Sequence, residues 1–266
     1  MMDTPCVMGI LNVTPDSFSD GGRFFSVEKA VEHALEMEQS GAGIIDIGGE
    51  STRPGAQAVL VEDELERVIP VIQAIRRASD ITISIDTSKP AVMIAAVEAG
   101  ANLVNDVYAL RQEGALGTVA NLGVPVCLMH MQGEPRTMQT QPAYENVVDD
   151  VLGFLLDRAR AAEEAGIARS NILLDPGFGF GKTLDHNLSL LKHLGRFVET
   201  GFPVLAGTSR KSMIGAILDV PTDQRFAGSL ATAIMAVNKG AAIVRVHDVK
   251  STVQALKVLS ALNGAK

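Results

Sequence analysis

Eight short apolar runs, separated by amphipathic segments, are the feature that most constrains how this chain folds. They cover residues 5–14, 43–50, 81–87, 103–107, 125–130, 172–176, 203–209 and 241–247. Their continuous apolar character, as in IIDI at 44–47 and ILLD at 172–175, is typical of parallel strands covered on both faces. The sequence therefore predicts eight strands in a parallel sheet.

Helical periodicity in the intervening segments predicts a helix after each strand. Two of the apolar stripes are Val27, Ala30, Val31, Ala34 and Leu35, and Val147, Val148, Val151, Leu152 and Leu155. Ser26, Asp185 and Asp248 are predicted to cap helix N-termini. Pro70 lies inside the second helical pattern and predicts a kink or a break there.

Eight strand–helix units in 266 residues, with no linker between them, predict a (β/α)8 TIM barrel. We expect a single domain spanning residues 1–266. An open doubly wound sheet is the alternative, and the sequence leaves it open.

Composition excludes several classes of protein. The formal net charge of −8 argues against a broad nucleic-acid-binding surface. No apolar run approaches the roughly 18–20 residues that span a bilayer, and the N-terminus lacks a basic-then-apolar leader. Cys6 and Cys127 lie in apolar strands without metal-site spacing, as expected in a reducing compartment. We therefore expect a cytoplasmic protein.

Polar residues collect where the predicted strands run into the following loops. They are Asn12, the segment 46–53, Asp86, Asn105, Asp106, Asp175, the segment 209–212, Arg245 and His247. In a barrel, the active site lies at this C-terminal end of the strands. Each residue could alternatively cap the next helix, but their agreement around the barrel favours a binding site.

The chemistry of these residues predicts a substrate with two different ends. Asp86, Asn105 and Asp175 offer acceptors and an amide to a flat heterocycle that carries N–H donors. Arg53, Arg245 and His247 offer positive charge to an anion such as phosphate. We therefore expect one end of the substrate to be a polar ring and the other an anion.

Three loops are further candidates for the site. Ser209, Lys211 and Ser212 precede a predicted helix, whose free amides favour a carboxylate or phosphate. The glycines of DPGFGFGKT (175–183) have neither P-loop nor dinucleotide spacing, and indicate close approach of backbone to a planar ligand, with Phe180 as an apolar wall. The loop after the first strand carries Phe18 and Asp20 and is either a lid or a disordered surface loop.

Eight motifs in this order resemble dihydropteroate synthase, a member of the pterin-binding enzyme family. They are GILNVTPDSFSDGG (9–22), DIGGESTRPG (46–55), DTSKP (86–90), ND (105–106), LMHMQG (128–133), DPGFGFGK (175–182), SRKS (209–212) and RVHDV (245–249). They cover nearly the whole chain.

The resemblance implies a reaction of folate biosynthesis. The amine of p-aminobenzoate attacks a dihydropterin that carries a CH2–O–pyrophosphate arm, which gives 7,8-dihydropteroate and pyrophosphate. It also implies Mg²⁺ as cofactor, departure of pyrophosphate before attack, inhibition by sulfonamides and a homodimer.

The family's roles carry over to matching positions. The pterin would be bound by Asp86, Asn105, Met129, Asp175 and Lys211. The pyrophosphate would be bound by Asn12, Arg53, Arg245 and His247. The p-aminobenzoate would be bound by Phe18, Thr52, Pro54, Phe180, Lys211 and Ser212. Mg²⁺ would be bound by Asn12, with Asp20 as a further candidate.

Catalysis would depend on seven of these residues: Asn12, Arg53, Asp86, Asp175, Lys211, Arg245 and His247. The resemblance leaves open whether His247 is a base or only a phosphate ligand, and it assigns no role to His130.

Two other functions compete with this interpretation. A pterin-dependent methyltransferase would share the pterin pocket but would not need the first loop or the SRKS segment. A non-catalytic pterin-binding paralogue could retain most motifs, and the sequence excludes it poorly.

Overall fold

The computed structural model describes residues 5–14, 22–51, 58–133, 138–139 and 141–265, with residues 22–26 described as backbone only. The strands are β1 (Cys6–Asn12), β2 (Ile44–Gly48), β3 (Thr82–Asp86), β4 (Leu103–Asp106), β5 (Val126–Met129), β6 (Ile172–Asp175), β7 (Leu205–Ala206) and β8 (Ile243–Val246). Each lies inside one predicted range, which confirms all eight strand predictions.

Helices connect successive strands. They are α1 (Gly22–Gln39), α2 (Val61–Ala78), α3 (Pro90–Glu98), α4 (Ala115–Leu122), α5 (Val147–Glu164), α6 (Leu184–Lys192), α7 (Gly195–Val198), α8 (Ser212–Leu218), α9 (Phe226–Asn238) and α10 (Val249–Asn263). Every described strand and helix belongs to the same barrel, whereas the single domain over residues 1–266 stays a prediction.

The sheet closes almost completely on itself. Its strands pair in parallel in the order β6-β5-β4-β3-β2-β1-β8-β7, and a single bridge from Leu174 to Val204 joins the two ends. Sequence neighbours are thus spatial neighbours all the way round, which confirms the (β/α)8 barrel and excludes the open doubly wound sheet.

Two separate apolar layers stabilise the barrel. Outward-facing strand residues such as Ile45, Ile83 and Val244 pack with the buried faces of the helices in one large cluster. A smaller cluster of inward-facing strand residues, which includes Met8, Leu103 and Leu205, fills the interior of the barrel and is called the barrel floor below. Burial of each large aliphatic side chain contributes about 1.5–3 kcal/mol, so the strands are held from both faces.

Of the kink or break predicted at Pro70, the break is wrong, and the kink stays a prediction. Helix α2 runs from Val61 to Ala78 with Pro70 inside it. Pro70 lies on the exposed face, and Val68, Val71 and Ile75 on the other face are fully buried. Their burial outweighs the roughly 3 kcal/mol that an interior proline costs a helix.

Two of the three predicted helix caps are also wrong. Ser26 lies inside α1, and Asp185 lies in the first turn of α6, where Thr183 is the cap. Asp248 does occupy the N-cap position of α10, but its side chain makes no capping hydrogen bond.

None of the described helices combines the length and apolar character needed to cross a membrane.

Candidate active site

The alternation of side chains along the strands brings the predicted site residues together. The inward apolar layer of the barrel floor consists of Met8, Ile44, Leu103, Cys127, Leu173, Leu205 and Ile243. Side chains two residues apart share a face of a strand. Two residues beyond this layer, on the same face and nearer the C-terminal end, come Asp46, Asn105, Met129, Asp175 and Arg245. The two-residue alternation of side chains along the strands therefore places an apolar layer at the barrel floor and a polar layer at the barrel mouth.

A charged network occupies the side of the mouth formed by β8, β2, β3 and β4. Arg245 Nε donates to Asp46 Oδ2 at 2.5 Å, and Arg245 Nη2 donates to Asp86 Oδ2 at 2.7 Å. Asn105 Nδ2 donates to the same Asp46 oxygen at 3.2 Å. The structure thus brings Asp86, Asn105 and Arg245 together as predicted, and it adds Asp46 beneath them.

The network shifts the pKa values of Asp86 and Arg245. Burial raises the pKa of Asp86 to about 7; Arg245 opposes this, and the charges of Asp46, Glu64 and Asp106 add to it. Burial by itself lowers the pKa of Arg245, but the two carboxylates outweigh burial and raise it. Arg245 is therefore a permanent cation in this layer, whereas Asp86 titrates near neutral pH.

The opposite side of the mouth carries Asp175 and Lys211. Asp175 Oδ1 accepts from the backbone N–H of Gly177 at 2.7 Å. Lys211 donates to the carbonyl of Phe178, and its Nζ lies 4.7 Å from the centre of the Phe180 ring. Burial lowers the pKa of Lys211 to about 8, and burial raises the pKa of Asp175. A Cβ built on Gly207 would lie 3.8 Å from both Lys211 Nζ and Arg245 Cβ, so the two cations flank this glycine.

Asn12 lies at the end of β1, beside the charged network. Its register partner is Gly48, whose own partner is Asp86. A Cβ built on Gly48 would lie 3.8 Å from Asn12 Oδ1 and 3.8 Å from Asp86 Oδ2. The absence of a side chain at Gly48 thus keeps an amide oxygen and a carboxylate oxygen facing the same space.

The β7–α8 segment is tied to the end of β8. Ser209 Oγ lies 3.0 Å from His247 Nδ1 and accepts from the backbone N–H of His247 at 3.2 Å. Arg210 forms a two-pronged ion pair with Asp248, at 2.7 and 3.2 Å. Ser212 is the exposed first residue of α8. His247, Ser209 and Lys211 therefore belong to one connected edge of the mouth.

Met129 and Phe180, two apolar residues of the predicted site, lie close together. Met129 is buried with Val107, Met131 and Met138, and Phe180 packs against this group. Met129 follows the inward register of β5, opposite Asp175 of β6.

The glycine-rich segment after β6 is fixed by close backbone approach. A Cβ on Gly177 would lie 1.9 Å from the carbonyl oxygen of His130, and one on Gly181 would lie 2.6 Å from that of Gln132. Both glycines also have positive φ angles. The sequence predicts close approach of this backbone to a planar ligand, but at Gly177 and Gly181 the close approach is to the loop after β5, which holds Asp175 and Phe180 in place.

The buried side chains of Lys182 and His130 hold this segment in place from the protein interior. Lys182 Nζ lies 2.9 Å from His130 Nδ1 and donates to the carbonyls of Gly177 and Phe180, each at 2.9 Å. Both side chains are buried. Burial, and then the charge of Lys182, lower the pKa of His130 to about 2, so its neutral ring can accept from the Lys182 amino group, whose own pKa burial lowers.

Several predicted site residues lie outside the described part of the chain. They are Phe18, Asp20, Thr52, Arg53 and Pro54. Their predicted roles stay predictions. The described start of the β2–α2 loop is anchored by Lys89, which pairs with Glu50 and with the fully buried Glu64, the latter at 2.5 Å.

The oxygen atoms at the barrel mouth are compatible with an Mg²⁺ ion that is bound mainly by the phosphates of a substrate. Mg²⁺ favours oxygen ligands, keeps several waters and is often bound through one or two protein oxygens plus substrate phosphates. Asn12 provides such an oxygen. No group of three or more His, Cys, Asp or Glu side chains that could hold a metal is found among the described residues. A cage made of protein ligands alone is therefore absent from that part of the chain.

Sequence reasoning missed three residues that organise the site. In the sequence, Asp46 is only one of several polar residues after the second strand, His130 has no predicted role, and Lys182 only argues against a nucleotide motif. The period-two pattern along β2 could have placed Asp46 in the interior, because it follows the inward Ile44 by two residues. Nothing in the local sequence indicates the pairing of Lys182 with His130, 52 residues away.

Known proteins match this chain over nearly its whole length. A family described as pterin binding enzyme matches residues 8–247. Dihydropteroate synthase of Haemophilus influenzae is 55% identical, and the match covers 99% of this chain and 96% of that protein.

Two solved structures show the same fold. Xanthomonas albilineans dihydropteroate synthase with 4-aminobenzoic acid has a TM-score of 0.94 at 54% identity, covering 99% of this chain and 95% of that one. The same enzyme in complex with 7,8-dihydropteroate has a TM-score of 0.91 at 50% identity, covering 100% and 96%. Together with the inward carboxylates and cations at the barrel mouth, these matches show that the chain belongs to the dihydropteroate synthases of the pterin binding enzyme family.

Proposed function

We propose that the chain catalyses the condensation of 6-hydroxymethyl-7,8-dihydropterin pyrophosphate with p-aminobenzoate to 7,8-dihydropteroate and pyrophosphate. The observation that carries this proposal is the convergence of Asp86, Asn105, Asp175, Lys211 and Arg245 on one barrel mouth. The fold of the chain is nearly the same as that of an enzyme whose structure contains 7,8-dihydropteroate, which supports the same conclusion.

The pterin ring would lie between the two sides of the mouth. Asp86, Asn105 and Asp175 present oxygens to ring N–H donors, and Lys211 presents a donor to a ring acceptor. Met129 lies opposite Asp175 in the register and supplies an apolar contact. A carboxylate at 175 held by the Gly177 amide is oriented before the ligand arrives, which reduces the entropy lost on binding.

The pyrophosphate would lie against Arg245, His247 and Asn12, with Arg53 as a further ligand. Arg245 already has its guanidinium fixed by two carboxylates, so it can stabilise the charge that develops on the leaving group without reorganising. Mg²⁺ would be held by Asn12 and the phosphate oxygens, with Asp20 as a further candidate, and would neutralise charge on the leaving group.

The p-aminobenzoate would enter over Phe180 and the start of α8. Its carboxylate would lie near Ser212 and Lys211, and Phe18, Thr52 and Pro54 would complete this site. No protein nucleophile is required, because the substrate amine attacks the carbon that pyrophosphate leaves. The protein's contribution is positioning, charge stabilisation and exclusion of water.

The test of this function is release of pyrophosphate by the purified chain with both substrates and Mg²⁺. Turnover that needs both substrates, yields 7,8-dihydropteroate by mass spectrometry and is inhibited by a sulfonamide in competition with p-aminobenzoate supports the proposal. Pterin binding without turnover would support the non-catalytic paralogue. Transfer of a methyl group from a methylated pterin to a corrinoid would support the methyltransferase.

The pH dependence of kcat/KM for the pterin substrate is expected to be bell-shaped. Asp86 must be ionised to accept from the ring, and its pKa of about 7 makes activity rise as pH increases towards that value. Lys211 must be protonated to donate, and its pKa of about 8 makes activity fall as pH increases beyond it. Initial rates across this range measure both limbs, and the Asp86→Asn variant should lack the acid limb. A flat profile would contradict these roles.

Removal of divalent cations is expected to abolish turnover. Chelation by EDTA should stop pyrophosphate release, and excess Mg²⁺ should restore it, because the leaving group would lose a counter-charge. The unchanged rate of an enzyme fully depleted of metal would argue against Mg²⁺.

A homodimer in the cytoplasm completes the proposal. Exposed Ile217 and Leu218 of α8 and Phe226 of α9 provide apolar surface for a second copy, and light scattering would measure the mass. The two free thiols, Cys6 and Cys127, suit a reducing compartment, and cell fractionation would test the location.

A further inference from the structure

We propose that Asp46 is a positioning residue that determines which atom of Asn105 faces the pterin and in which plane Arg245 is held. This inference rests on the proposed function, because it concerns the same cavity. Asp46 would act entirely through these two residues.

The burial of Asp46 separates it from any ligand. Its exposed fraction is 0%, whereas the Arg245 side chain keeps 20% of its surface exposed and Asp86 keeps 11%. Asp46 lies two residues nearer the barrel floor than Gly48, which shares a level with Asn12 and Asp86. A ligand at the mouth therefore meets Arg245 and Asp86 before it could reach Asp46.

Asp46 fixes the orientation of the Asn105 amide. An ionised carboxylate only accepts hydrogen bonds, so the Asn105 atom that faces it must be the Nδ2 donor. The amide oxygen then points away from Asp46. The hydrogen bond found for the Asn105 side chain among the described residues is made by Nδ2, so Oδ1 remains as an acceptor for a ring N–H. Without Asp46, the amide could rotate and present a donor to the pterin instead.

Asp46 also holds the plane of the Arg245 guanidinium. Nε donates to Asp46 and Nη2 donates to Asp86, so two different carboxylates fix the group from two strands. This leaves Nη1 without a protein partner in the described part of the chain. One terminal nitrogen of a preoriented guanidinium is therefore available to the substrate.

The charge of Asp46 reaches Asp86 as well. The charged groups that face Asp86 are Arg245, Asp46, Glu64, Asp106 and, from the other side of the mouth, Lys211. Arg245 lowers the pKa of Asp86, and the three carboxylates raise it. Loss of the charge at Asp46 should therefore lower the pKa of Asp86 and shift the acid limb of activity to lower pH. A role confined to stability would leave this limb in place.

Three variants of the full chain test the inference. Asp46→Asn keeps an oxygen that can accept from both Arg245 and Asn105, so the KM for the pterin substrate should change by less than about 3-fold. Its acid limb should shift to lower pH. Asp46→Ala removes both hydrogen bonds, so the KM for the pterin substrate should rise by about 10-fold or more while the KM for p-aminobenzoate stays within about 2-fold.

Ser84→Ala is the matched control. Ser84 is the register partner of Asp46 on β3 and is equally buried, but its hydroxyl has no hydrogen-bond partner among the described residues. This variant should keep both KM values and the pH profile of the original chain. If Asp46→Ala does not fold, Asp46→Asn decides through both readouts: a pterin KM within about 3-fold together with a shifted acid limb supports the inference, and a pterin KM raised by about 10-fold or more overturns it.

The outcomes separate this inference from the proposed function. Normal pterin KM in Asp46→Ala and an unshifted acid limb in Asp46→Asn, with impaired Asp86→Asn, would overturn the role of Asp46 alone. Normal kinetics in Asp86→Asn as well would overturn the placement of the pterin in this cavity.

Discussion

Replacement of Arg245 by methionine is expected to lower kcat/KM for the pterin pyrophosphate by about 1,000-fold. The variant loses the cation that would stabilise the departing pyrophosphate, and removal of one such preorganised group costs about 100- to 1,000-fold in rate. It also leaves Asp46 and Asp86 buried with no guanidinium between them. Steady-state kinetics measures the loss, and calorimetry with the pyrophosphorylated substrate measures binding.

The same variant should be less stable, and more so at higher pH. Removal of one partner of a buried ion pair typically costs about 3–5 kcal/mol. Because Arg245 lowers the pKa of Asp86, its loss should raise that pKa above about 7. Asp86 is then protonated at acid pH, which relieves the repulsion from Asp46, so the fall in Tm should be smaller below pH 7 than above it.

Two controls make the Arg245 result interpretable. Arg245→Lys keeps the charge but lacks the planar guanidinium that donates in fixed directions from Nε to Asp46 and from Nη2 to Asp86, so it should retain part of the activity. Arg196→Met removes an exposed ion pair with Asp149 and should change neither activity nor Tm measurably. Unchanged affinity and turnover in Arg245→Met would refute the role of Arg245.

Replacement of Asp175 by asparagine is expected to lower kcat/KM for the pterin substrate by about 100-fold. The asparagine oxygen can still accept from the Gly177 amide, which places the NH2 group where the second carboxylate oxygen faced the ring. Two donors would then oppose each other, and an unsatisfied buried polar group costs about 1–3 kcal/mol. Kinetics with each substrate varied in turn would show that the pterin is affected.

Asp175→Asn should also change the basic limb of the pH profile. Asp175 raises the pKa of Lys211, against the larger effect of burial, so its neutralisation should move that pKa further below about 8. Asp185→Asn, on the exposed first turn of α6, is the control and should behave like the original chain. Normal kcat/KM and an unmoved basic limb would mean that Asp175 is only structural.

The barrel was predictable because its signals are local. Each strand is a continuous apolar run of a few residues, and each helix has an apolar stripe of helical period within its own short segment. The failed predictions, which are the helix break at Pro70 and the caps at Ser26 and Asp185, concern positions where packing or a neighbouring residue decides the outcome. Thr183, for example, caps α6 two residues before Asp185.

The composition of the site was predictable, but its internal contacts were not. Strand order and inward register are enough to bring Asp86, Asn105 and Asp175 to one mouth. The pairing of Arg245 with Asp46 joins residues 199 positions apart. The geometry of this pair depends on the stagger of the strands around the barrel and on how far each side chain extends. A single sequence contains neither quantity.

The position of Arg245 in the last strand has a consequence for the order of folding during synthesis. Asp46 and Asp86 emerge from the ribosome early, on β2 and β3, but the guanidinium that neutralises them is translated more than 150 residues after either one. Until β8 arrives, the sheet lacks the guanidinium that bridges these two carboxylates. Repulsion between these carboxylates therefore favours loose packing of the first strands. The eighth strand then completes the sheet and supplies the guanidinium that neutralises Asp46 and Asp86.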